Sequence, residues 1–149
     1  MTARFPALGL IVASVMFQTV FADNDLSRYR AATDKPFDEV LFDLEFVITE
    51  HNFRITGRNQ IGEAINQRDH TRLPRSTIVH FCNLSYARRL LERSADALLH
   101  MPCRIAVSER NGQVIVEARL VTETATSSRT LVDEINQLLR VIVDETVAQ

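Results

Sequence analysis

Residues 103–120 constrain the fold more than any other stretch of the chain. Asn111-Gly112 separates two runs of alternating apolar and polar residues, and both residues tolerate the positive φ that a two-residue hairpin turn demands. Pairing Arg110 with Gln113 fixes the register. Val107 then faces Val116, Ile105 faces Ala118 and Cys103 faces Leu120. On the opposite side Arg104 meets Arg119, and Ala106 meets Glu117. One apolar face and one mostly polar face predict a sheet that helices cover from one side.

Helical patterns supply the cover. Phe37, Val40, Leu41, Leu44, Val47 and Ile48 form one stripe, with Asp34 as the expected N-cap and Asn52 as a left-handed stop. Leu84–Arg93 predicts a second helix with Leu90 and Leu91 inward, its apolar face continued by Leu98 and Leu99 until Pro102. A third stripe runs Leu131, Ile135, Leu138, Leu139, Ile142, Val143, capped by Ser127 or Ser128. Ser27–Thr33, Phe53–Gly57 and Thr77–Cys82 read as strands, and Ile61–Asn66 as a short helical turn. The order β-α-β-β-α-β-β-α, with short connections, predicts an α+β two-layer sandwich whose mainly antiparallel sheet carries its helices on one face. The alternative is a doubly wound parallel sheet. Against it, no glycine-rich loop follows any strand, and the chain has only four glycines.

The first 22 residues have the layout of a secretory signal peptide: Arg4, an apolar run Phe5–Phe21, and small Ala22 before an expected cleavage at Asp23. An uncleaved anchor is the other reading, but the run is short for a span of about 20 residues. Cleavage leaves residues 23–149 as one domain with no stable membrane span, in an oxidising compartment, the periplasm. The net charge of −2, with scattered charges, argues against nucleic acid as a partner. The 16 arginines against the single Lys35 read as genome composition rather than a binding patch.

The segment Ile78-Val79-His80-Phe81-Cys82-Asn83, an Ala- and Leu-bearing helix, and then Leu99-His100-Met101-Pro102-Cys103-Arg104-Ile105-Ala106-Val107 before Asn111-Gly112 resemble the bacterial and archaeal family called Domain of Unknown Function 302. The resemblance runs from about Tyr29 to Val147. It implies a compact α+β fold and a tendency to dimerise, and brings no established activity. The chain departs from the family pattern at Leu84, where Pro is frequent, and at His100-Met101, where aliphatics are usual.

Cys82 ends one strand and Cys103 begins another. If the two strands are antiparallel neighbours the sulfurs approach. If they are parallel, the cysteines stand about 15–20 Å apart. Three readings follow: a disulfide between Cys82 and Cys103, two separately buried thiols, or a ligand role. His80 and Cys82 share a strand face. With His100, Met101 and Cys103 they form a set of soft ligands suited to copper or haem, although no Cys-x-x-Cys or His-Glu-x-x-His spacing is present. A thiol nucleophile would need His80 or His100 to lower the pKa of Cys82. The sequence therefore predicts an exported binding or accessory module, non-enzymatic and without a cofactor. It would take an unknown small ligand or protein partner at His80, Cys82, Asn83 and Cys103. The alternatives are a redox protein using copper, haem or the thiols, with His80, Cys82, His100 and Cys103 as metal candidates, and a structural homodimer subunit.

Overall fold

A computed structural model describes residues 27–122 and 129–149. The leader and its cleavage point, and the Ser127 and Ser128 caps, lie outside the described residues. Five strands form one sheet: β1 (Arg28–Thr33), β2 (Arg54–Gln60), β3 (Ser76–Cys82), β4 (Cys103–Arg110) and β5 (Gln113–Arg119). They stand in the order β1-β5-β4-β3-β2, and every neighbouring pair is antiparallel. The helices are α1 (Phe37–Glu50), α2 (Ile61–Asp69), α3 (Leu84–Leu91) and α4 (Arg129–Ala148), with a 3₁₀ turn at Ala95–His100. This is the α+β sandwich the sequence predicts, with α2 longer than the single turn expected.

The β4–β5 hairpin keeps the predicted register, with Ile105 opposite Ala118 and Val107 opposite Val116. Asn111 (φ 53°) and Gly112 (φ 82°) both occupy the left-handed region that a tight turn between right-twisted strands requires. Val79, Phe81, Ile105, Val107, Val116 and Ala118 project from one sheet face into the core. Leu44 and Ile48 of α1 and Ile135, Leu139 and Ile142 of α4 close that core from above. The intervening residues of β3, Ser76, Ile78, His80 and Cys82, are all half-buried, so the second sheet face is open. In edge strand β2 the pairing with β3 shifts between Ile55 and Gly57, a bulge that leaves Thr56 without a register partner.

Three local expectations are corrected. The residue capping α1 is Pro36, which offers no side-chain cap. Asp34 instead accepts a hydrogen bond from Gln113 Nε2 across the sheet end (3.0 Å). Leu91 is exposed and only Leu90 of that pair is buried. Leu98 and Leu99 do not extend the α3 face. They are 62% and 82% exposed on the 3₁₀ turn, because the chain breaks at Ser94, whose Oγ accepts from Asp96 N (3.2 Å), and restarts with Ala97 inward. Among the described residues no helix is long and apolar enough to cross a membrane.

Candidate functional site

The antiparallel neighbours β3 and β4 bring the end of one strand beside the start of the other, as the closer of the two cysteine geometries requires. The register, however, sets Phe81 opposite Cys103 and leaves Cys82 one residue beyond. Successive strand residues face opposite sides. Cys103 therefore follows Phe81 toward the helices, whereas Cys82 follows His80 toward the open face. The expected disulfide is not formed, and both cysteines are free. Burial pushes the Cys82 thiol above its ordinary range. The Cys103 thiol is pushed up to about 11, first by burial, then by the neighbouring Cys82, against a smaller lowering by a backbone hydrogen bond. At neutral pH both are thiols rather than thiolates.

Asn83 caps α3. Its Oδ1 accepts from Ser85 N (2.9 Å) and Tyr86 N (3.3 Å), and its Nδ2 donates to Asn52 O (3.0 Å), tying the helix start to the turn before β2. That tie holds Tyr86 over Phe53, whose ring meets Phe81 edge-on at 5.3 Å between centroids. A cleft of about 20 Å³ opens there, walled by Cys82, Asn83, Tyr86, His100, Met101 and Cys103. Asn83, Cys82 and Cys103 thus share one locus, as does His100. His80 does not join it. It stands on the open face, its Nε2 against Asn59 Oδ1 at 2.8 Å. Among the described residues no group of three or more His, Cys, Asp or Glu side chains is placed to hold a metal ion.

The cleft adjoins one larger depression, which in turn shares Arg104 and Arg119 with a second. The first, of about 240 Å³, runs past His100, Pro102, Cys103, Arg104 and Arg119. The second, of about 300 Å³, lies on the open face over Ile78, Ala106, Arg104, Arg119 and Glu117. A wider depression of about 490 Å³ at the far end of the sheet, between residues 34–37 and the hairpin turn, contains none of the predicted site residues.

The feature that sequence reasoning passed over is a row of basic side chains. Arg28 is the register partner of Arg119, and His80 that of Arg104. Continuing the β4–β5 register by one residue sets Arg104 beside Arg119. Four adjacent strands thus present Arg28, Arg119, Arg104 and His80 side by side on the open face. The hairpin register already paired Arg104 with Arg119 from sequence, and the absence of an acidic partner was the available signal.

A family model described as Domain of unknown function DUF302 matches residues 29–146. The chain is also similar in fold to a solved structure described as an uncharacterized conserved protein DUF302 from Bacillus stearothermophilus. The TM-score is 0.74 at 17% sequence identity, over 81% of this chain and 98% of the other. No curated protein matches.

Proposed function

The chain belongs to the family described as Domain of unknown function DUF302, and we propose that it is an exported, non-enzymatic binding module with its site at the strand ends. The observation that carries this reading is convergence. The cleft holding Cys82, Asn83 and Cys103 shares His100 and Cys103 with a larger depression, and that depression shares Arg104 and Arg119 with the groove on the open face. A binding role fits the thiols better than a catalytic one. Both are protonated at neutral pH, and neither has a base aligned to take its proton: His80 is engaged with Asn59, and His100 is exposed on the 3₁₀ turn.

Amide chemical shifts of the full chain, followed while a set of small fragments is titrated in, test the reading. Ligand-dependent shifts are expected to cluster at residues 82–83, 100–104 and 119–121. Thiol-dependent catalysis of insulin disulfide reduction, lost in Cys82→Ser or Cys103→Ser, would overturn it in favour of a redox protein. Export is tested by N-terminal sequencing of protein from the periplasmic fraction, expected to begin at Asp23.

One observation favours a second reading, a homodimer subunit. Phe42 and Phe46, one turn apart on α1, are 72% and 49% exposed. Light scattering on a sizing column would give twice the monomer mass, reduced to the monomer by Phe42→Arg. A monomer at all concentrations removes this reading.

A further inference from the structure

We propose that Arg104 and Arg119 bind a dianionic oxyanion of the phosphate class, either as the free ion or as the head group of a small ester whose organic part rests on Ile78 and Ala106. The assignment builds on the strand-end reading above and names its ligand class.

Three observations carry it. First, the two guanidinium groups project from neighbouring strands on the same face and line the same groove. Neighbouring strands lie about 4.8 Å apart, a separation that one tetrahedral oxyanion bridges while accepting from both. Second, neither side chain has a hydrogen bond, ion pair or ring contact among the described residues. The nearest acid on that face, Glu117, is already engaged by Arg28 Nη1 at 3.2 Å and by Arg110 Nη2 at 3.7 Å. Like charges directly across a strand pair repel, and here no acid among the described residues pairs with either of them. A bound dianion does, whereas a monocarboxylate leaves one positive charge over. Third, the groove is amphipathic. Beyond the arginines its floor is Ile78 and Ala106, in a depression of about 300 Å³ that accommodates more than the head group. Guanidinium forks are suited to oxyanions because they offer paired, fixed N–H donors.

The full chain is titrated with inorganic phosphate, phenyl phosphate and benzoate, with binding read by calorimetry and by amide shifts. Phenyl phosphate is expected to bind, and benzoate to bind about tenfold more weakly. Arg104→Gln and Arg119→Gln each lower phenyl phosphate affinity about tenfold, and the double variant loses it. Arg93→Gln, in the exposed turn after α3, changes nothing. Both arginines are exposed and without a partner among the described residues, so the variants fold, and an unchanged or raised Tm confirms that they do. Inorganic phosphate binding as tightly as phenyl phosphate identifies the free ion as the ligand, and weaker binding identifies the ester. Equal binding of phenyl phosphate by wild type and double variant, with shifts still at residues 100–104, overturns the oxyanion site alone. Shifts that map elsewhere overturn both this site and the strand-end reading. Absence of phosphate binding in any form also overturns the assignment.

Discussion

Cys103 is a residue whose chemistry its surroundings change strongly. Its thiol ionises near 11 against an ordinary value of 9.0, so at pH 7.5 iodoacetamide should modify it at least about tenfold more slowly than free cysteine. Timed alkylation read by mass spectrometry checks this. The same shift makes a prediction about stability. The folded state holds the proton more tightly than the unfolded state, so the contribution is complete below pH 9 and is lost as the pH rises through 11. Tyr29 and Tyr86 are shifted in the same direction, Tyr29 first through its hydrogen bond to Asp144 and Tyr86 first through burial. Urea midpoints should therefore fall between pH 8.5 and 11, and Cys103→Ala should flatten part of the fall. Asn83 acts locally but on two partners. Replacing it with Ala removes the α3 cap and the tie to Asn52, and should cost about 1–2 kcal/mol in denaturant titration. Asp at this position keeps the acceptor, loses the Nδ2 donor, and should cost less.

At the scale of elements, legibility followed how local the determining signal was. The hairpin was readable because Asn111-Gly112 and the alternation around it specify turn and register together. The α1 and α4 stripes were readable from their periodicity, since Leu44, Ile48, Ile135, Leu139 and Ile142 recur at helical spacing and are all buried. Helix α2 was foreshortened because its sequence carries little periodic apolar signal. It docks through Gly62, where a Cβ would lie 2.7 Å from Pro74 O, 2.8 Å from Ser76 Oγ and 3.0 Å from Ser76 N. That contact is a tertiary packing against the start of β3, and no propensity encodes it. Gly62→Ala should accordingly destabilise the protein by about 1–3 kcal/mol, measured as a shift in urea midpoint. The 3₁₀ turn misled for a related reason: Leu98 and Leu99 continue the apolar rhythm of α3, but the Ser94 cap resets the chain before they arrive.

At the scale of the molecule, one core carries the stability. Ile142 of α4 sits fully buried between α1 and the sheet, so Ile142→Ala should cost about 2–5 kcal/mol and lower the thermal midpoint by several degrees. The candidate site was legible in part for the same architectural reason. Antiparallel order placed Cys82, Asn83 and Cys103 at one end of the sheet. A register offset of a single residue, invisible in the sequence of β3, separated the sulfurs and gave Cys103 a phenylalanine as its partner. The arginine row needed the order of four strands, because Arg28 joins it only through a pairing that spans most of the chain and His80 through one that crosses the whole of α3 and the 3₁₀ turn. The bulge in β2 has a consequence of its own. An antiparallel sheet with two outer borders is a template on which further chains can stack. At one border the displaced Thr56 interrupts the repeat of amide and carbonyl groups a newcomer would have to match, and at the other Arg28 and Arg30 stud a strand of only six residues. Both borders thus carry features that oppose the addition of a further strand.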